Sequence, residues 1–215
     1  MASVIVRGTG NISVKPDLIR LDLDVQSRSS DCGEAMEKAE NSLSELRDII
    51  EELGFERDDL KTADLNVHTE YESVPDENNV YHNVFKGYCC SHSMNIEFAM
   101  DTERLALVLR AVSASEAAPQ LSIAFALKDE EAAREELIRL SAANARKKAE
   151  LLCEASGVKL GKLLKISYDR SDMSFVSQAR YGMDMNCLRS SAKAVSIAPD
   201  DIKLTDFAEF EWETV

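Results

Sequence analysis

Residues 129–157 read DEEAAREELIRLSAANARKKAELLCEASG, and this stretch decides the fold. Asp129, Glu130 and Glu131 put negative charge on a first helical turn, where exposed N–H groups favour it. Lys147 and Lys148 lie toward the other end, where the partial charge is reversed. Gly157 supplies the left-handed residue that stops a helix. Ala133, Leu137, Leu140, Asn144, Lys148 and Leu151 recur every three or four positions and predict the packed face. Further alanines, among them Ala142, Ala145 and Ala149, make the helix slim enough to lie close to a sheet. Leu121–Leu127 alternates like a strand before it, and Leu163–Tyr168 does so after it. A strand–helix–strand unit cannot bury its apolar faces alone and needs a second layer.

Working outward, a second long helix is expected over Cys32–Leu53. Ser29, Ser30 and Asp31 are its cap candidates, Ala35, Ala39, Leu43, Leu46, Ile49, Ile50 and Leu53 its stripe, and Gly54 its stop. Before it, Ile19, Leu21, Leu23 and Val25 alternate with polar partners, the pattern of a strand with one wet face. Gly8-Thr9-Gly10 predicts a turn in an N-terminal hairpin, Ser3–Arg7 to Asn11–Val14. A phosphate loop is the weaker reading there because no helix follows the glycines. After Asp58-Asp59 a strand is expected with Ala63, Leu65, Val67 and Thr69 inward. Tyr71–His82 reads as a polar loop or long hairpin tip, Tyr88–Met100 as a returning strand, and 102–113 as a short linker helix capped by Asp101 or Thr102. Asp169–Lys193 has no clean period and predicts a long loop or an irregular hairpin. Val195–Ile197 and Leu204–Trp212 read as strands, the latter with Ala208, Phe210 and Trp212 inward. The expectation is an α+β fold in which 1–215 forms one domain. Within it are two β-α-β-β-like halves, about 18–100 and 121–213, with long helices on largely antiparallel sheet.

Composition narrows the partners. The 215 residues are 45% hydrophobic and 30% charged, and the net charge is −14. Such a chain is poorly suited to polyanions, so neither nucleic acid nor membrane insertion is expected. No apolar run approaches the roughly 20 residues that span a bilayer. Met1–Gly10 lacks the basic-then-apolar pattern of a signal peptide, which predicts a cytoplasmic protein. The five cysteines show no framework spacing and read as free thiols.

The sharpest chemical cluster is Cys89-Cys90-Ser91-His92, with His68 and His82 nearby. On a strand Cys90 and His92 share a face and Cys89 lies opposite. With His68 on a paired strand, His68, Cys90 and His92 become candidate metal ligands of a kind zinc accepts. Cys-x₂-Cys and His-x₃-His spacings are absent, so the simpler reading is small half-buried thiols beside exposed histidines. A Cys–His nucleophile lacks an accompanying oxyanion loop, and no nucleophile elbow is present. Met173, Met183 and Met185 suit either a soft ligand set or an adaptable loop, and the loop is the simpler account. No cofactor and no catalytic residue is expected.

Several phrases then occur together in order. They are Val6-x-Gly8-x-Gly10, Pro16-Asp17, Glu34-Ala35, Leu53-Gly54-Phe55, Asp59-Leu60-Lys61-Thr62 and Gly87-Tyr88. Later come Ile123-x-Phe125-x-Leu127-x-Asp129, Gly157-x-x-Leu160-Gly161 and Ile197-x-Pro199. In this order and spacing the chain resembles the SIMPL-domain family, named for a signalling molecule that associates with a pelle-like kinase. The likeness runs from about Ser3 to Trp212. It implies an α+β fold, ring-like or higher homo-oligomers, and no catalytic motif. It also implies a bacterial protein of unknown function, possessing exported relatives and links to stress defence. The function expected is therefore a non-enzymatic homo-oligomeric scaffold, with room for a protein partner. The alternative is a small metal-binding or thiol-dependent protein using Cys89, Cys90 and His92.

Overall fold

The computed structural model describes residues 2–76, 78–169, 172–177, 181–183 and 199–215, with backbone only at 181–183. Along the chain run β1 (Ser3–Val14), β2 (Leu18–Ser29), α1 (Cys32–Glu52), a 3₁₀ turn at Arg57–Asp59, β3 (Lys61–Pro75) and β4 (Tyr81–Ala99). They are followed by α2 (Thr102–Ala114), β5 (Gln120–Ala126), α3 (Glu130–Ala155), β6 (Leu160–Ser167), β7 (Tyr181–Met183) and β8 (Ile202–Thr214). The fold is α+β, with strands ordered β1-β8-β6 in one sheet and β3-β4-β2-β5-β7 in the other. Two compact units result. The first holds Met1–Asp17, Ala126–Gln178 and Pro199–Val215; the second holds Leu18–Phe125 and Ala179–Ala198. These units do not coincide with the expected halves at 18–100 and 121–213. β5 joins the five-stranded sheet, and the N-terminal β1 joins β8 in the other.

In the first unit α3 packs on β1 and β8. Asp129 caps it by accepting from the Ala132 N–H at 2.9 Å, and Gly157 follows with φ +73°. Its buried face is Arg134, Leu137, Ser141, Ala145, Ala149 and Cys153. That corrects the expected stripe, since Leu140 and Leu151 are exposed. Its middle, Ser141, Ala145 and Ala149, is small, because β1 comes close to the helix backbone at Ser141 and Ala145. β1 is one unbroken strand through Gly8-Thr9-Gly10, paired with β8 from Ser3↔Glu213 to Val14↔Ile202, so the expected hairpin is absent. The glycines serve contact instead of a turn. A Cβ at Gly8 would stand 2.0 Å from the Ser141 carbonyl oxygen, and one at Gly10 2.2 Å from that of Leu137. Helix side chains also reach the strand backbone. Thr9 N–H donates to Asn144 Oδ1 at 3.1 Å, and Lys148 Nζ donates to the Arg7 carbonyl at 3.1 Å. Lys148 thus holds the strand, where the sequence suggested a dipole partner.

In the second unit, one face of the five-stranded sheet carries Ile19, Leu21, Leu23, Met94, Ile96, Ile123 and Phe125. They pack with Leu46 and Ile50 of α1 and with Leu105, Val108 and Val112 of α2. Asp31 caps α1 and Asp101 caps α2. The opposite face is polar, with Arg20 bonded to Glu97 and Ser93 to Asp24. β3 lies at the sheet's edge, and Leu65 is exposed instead of inward. Val67 of that strand packs against Ala35, Ala39 and Cys90. Within 169–193, Phe175 is buried, Val176 bridges to Ala126, and β7 pairs with β5. The expected strand Val195–Ile197 and the residues Met185 and Cys187 lie outside the described residues.

Candidate functional site

The ribbon of β3 and β4 carries the expected chemical cluster, and strand register decides which residues meet. β3 and β4 run antiparallel, with Leu65 opposite His92, Val67 opposite Cys90 and His68 opposite Cys89. Successive residues alternate between faces. Cys90 and His92 therefore point toward α1, and His68 lies on the other face with Cys89. The expected trio of His68, Cys90 and His92 is split across the sheet.

On the α1 side, Cys90 is buried against Ala35 and Ala39. Burial pushes its thiol up, with the neighbouring Cys89 and Cys32 adding to the effect. A thiol held protonated is a weak nucleophile and a weak ligand. His92 is buried too, and its ring nitrogen Nε2 lies 2.9 Å from Thr62 Oγ1. Burial lowers its pKa; Arg47 adds to that and Glu40 opposes it. These are core residues with satisfied or suppressed polarity.

On the outer side, His68, Glu70 and Cys89 each offer one ligand atom, and those atoms lie within 4.8 Å of one another. Arg28 of β2 donates from Nε to both Glu70 oxygens, at 3.0 and 2.9 Å. That contact holds the Glu70 carboxyl below the usual carboxylate range. A β-bulge adjoins the cluster. Glu70 faces Gly87, but Tyr71 faces Phe85, so Lys86 is the extra residue. Gly87 takes φ +150°, and a Cβ there would stand 2.5 Å from the Ser29 carbonyl. Bulges re-aim side chains in this way beside functional sites. Sequence reasoning missed Glu70 and Arg28, and grouped His68 with the wrong cysteine, because the parity of the pairing depends on the hairpin tip and the bulge.

Beyond the bulge the ribbon extends as an arm. The bulge shifts alternation by one, which sets Tyr71, Phe85 and Tyr88 in edge-to-face contact, with centroids 6.0 and 5.4 Å apart. Tyr71, Val74, Val80, Tyr81, Val84 and Phe85 are all exposed, Tyr81 to 68%. Asp76 shapes the tip by accepting from the Asn78 and Val80 N–H groups at 2.8 and 2.9 Å.

The model of SIMPL, described as a protein of unknown function (DUF541), matches residues 4–212. The chain belongs to the SIMPL family. It is 26% identical over 166 residues to a 26 kDa periplasmic immunogenic protein of Brucella melitensis, and 25% identical over 166 residues to the protein of the same name in Brucella abortus. Each match covers 77% of this SIMPL chain and 66% of the relative, so the chain spans just under two thirds of the curated relatives' length. Among solved structures, an uncharacterized conserved protein from Listeria innocua aligns over 97% of this chain and 92% of its own. The identity there is 11% and the TM-score 0.24.

The first unit of this SIMPL chain adds a buried polar group that the sequence did not signal. Asp206 is fully buried on β8 and accepts from Tyr168 Oη at 2.9 Å. Arg134 of α3 hydrogen-bonds the same tyrosine and lies over the Phe175 ring at 5.0 Å. An Asp in an apolar-alternating strand reads as an interruption until its partners are known. A shallow cleft of about 390 Å³ lies between α3 and β6, floored by the stacked Phe210 and Trp212 and rimmed by Arg146 and Glu150. No helix among the described residues is long and apolar enough to cross a membrane.

Proposed function

We propose that this SIMPL protein is a non-enzymatic, self-associating scaffold whose β3–β4 arm docks on a second copy of the chain. The observation that carries the reading is the arm itself. It displays six large apolar side chains to solvent. Large exposed apolar patches mark interaction surfaces. β3 is also a 15-residue edge strand, and such edges pair with other chains unless covered. β6 offers a second apolar edge in the first unit, with Leu163, Leu164 and Ile166 exposed. The resemblance to a family with ring-like members supports the same reading.

The working compartment follows the relatives in this proposal. Proteins named periplasmic match over most of the chain, which favours an envelope setting over the cytoplasmic one expected from the N-terminal residues. Cell fractionation tests that part. Native mass in solution tests the scaffold. Assemblies of several chains are expected across micromolar concentrations, and a strict monomer overturns the proposal.

A further inference from the structure

We propose that His68, Glu70 and Cys89 form a binding site for a divalent ion of the zinc type on the outer face of the β3–β4 ribbon. The donor set is the first argument. Imidazole, carboxylate and thiolate are the three ligand types zinc takes, and three protein ligands with an open position is the arrangement of reactive zinc centres. Alkaline-earth ions prefer all-oxygen shells and are disfavoured by the sulfur and nitrogen.

Geometry is the second argument. The three donor atoms lie within 4.8 Å of one another before any ion draws them in. A tetrahedral zinc separates its donors by roughly 3.3–3.8 Å. Closing the gap needs about 1 Å of side-chain movement, which the exposed His68 can supply by rotation. The scaffold beneath is regular strand, with His68 directly opposite Cys89 and Glu70 two residues along the same face. The bulge at Lys86, with Gly87 in its special conformation, ends that regular register immediately beyond Glu70.

Charge is the third. Glu70 and a deprotonated Cys89 bring two negative charges, matching a divalent ion. On binding, the Cys89 S–H proton leaves to solvent and a sulfur–metal bond forms, so uptake releases one proton. Arg28 stays compatible with this. A carboxylate has about four lone-pair positions, so one Glu70 oxygen can turn to the ion while the other keeps the guanidinium. Arg28 then orients the ligand, as outer partners do in metal sites. Cys90 and His92 take no part, because they face α1.

The test uses the full chain, stripped with chelator and kept reduced. Co²⁺ is titrated while the near-ultraviolet sulfur-to-cobalt band is followed, and Zn²⁺ is titrated by calorimetry. The expected result is one ion per chain, a sulfur band, and release of a proton. His68→Ala and Glu70→Gln are expected to weaken Zn²⁺ by at least about tenfold, and Cys89→Ser to abolish the band. Cys32→Ser and His82→Ala leave binding unchanged. Absence of the band in the full chain, or unaltered affinity in His68→Ala, overturns the proposal. His68 is exposed, so that variant folds and decides the matter even if Cys89→Ser does not fold.

Discussion

A Cβ placed on Gly8 would stand 2.0 Å from the carbonyl oxygen of Ser141, so β1 and α3 approach to backbone contact at that point. The same Cβ would meet Ala145 Cβ at 2.7 Å and its N at 2.9 Å. None of these atoms can swing aside. Gly8→Ala must push the strand off the helix and is expected to cost about 1–3 kcal/mol or more, as overpacking does. Gly10→Ala meets the Leu137 carbonyl at 2.2 Å and should behave alike. Urea unfolding of the two variants checks this. Gly54→Ala is the contrast. Its Cβ would meet nothing within 4 Å, and only the φ of +80° opposes it.

The buried group in the first unit predicts a graded loss. Tyr168→Phe removes a donor from the fully buried Asp206, and about 1–3 kcal/mol is expected. Asp206→Ala removes the buried acceptor of both Tyr168 Oη and the Phe207 N–H and leaves a cavity, so a larger loss than in Tyr168→Phe is expected. Thermal or urea melts rank the two. Burial, then the bond to Asp206, raises the Tyr168 pKa. Its neutral phenol is the favoured form in the fold. That stabilisation is whole below about pH 10 and fades as pH climbs through the raised value. Tyr168→Phe should lose that alkaline slope.

His92 predicts a slope at the other end of the scale. Its folded pKa lies below the ordinary 6.5, chiefly through burial. The neutral ring is favoured in the fold, so the contribution is present above pH 6.5 and is lost as pH falls toward the folded value. His92→Gln keeps a partner for Thr62 and cannot take up that proton. Stability of this variant should vary less with pH below about 6.5 than in the parent chain, measured by urea midpoints.

The arm offers the cleanest test of association. Tyr71 and Phe85 are exposed, so changing both to serine leaves the core intact. The double variant loses two edge-to-face ring pairs, so a local cost of about 1–3 kcal/mol is expected in its urea midpoint, with the cores of both units unchanged. Its native mass should fall. Unchanged mass would rule out the arm as the docking element.

The helices were legible from sequence because their signals are local. Asp31 and Asp101, each among the cap candidates, do cap α1 and α2; Asp129, expected inside the first turn of α3, caps it instead; and Gly54 and Gly157 follow α1 and α3 with positive φ. The stripe of α3 was misread for a physical reason. A period of three or four picks out the large apolar residues, whereas this helix meets the glycines of β1 with Ser141 and Ala145 at the closest approach. Arg134 and Ser141 are buried, and Leu151 is exposed. The candidate site failed differently. Alternation along β4 correctly separated Cys89 from Cys90, but which of them meets His68 depends on the partner strand. A turn at Asp76–Val80 and one extra residue at Lys86 set that register. A shift of one position swaps every facing pair.

The sequence by itself determined the α+β class, the three helices among the described residues with the caps of α1 and α2, and the alternating strands β2, β4 and β8. These follow from spacing, capping chemistry and side-chain volume within a few residues of each other. Tertiary structure alone decided that β1 is one strand pressed on α3 and that β5 sits in the five-stranded sheet with β2. It alone decided that Asp206 is buried beside Tyr168, and that His68 meets Glu70 and Cys89. Those facts are relations between residues far apart in the chain. Register, bulges and the closeness of two backbones create them, and none of the three leaves a periodic mark in a single segment.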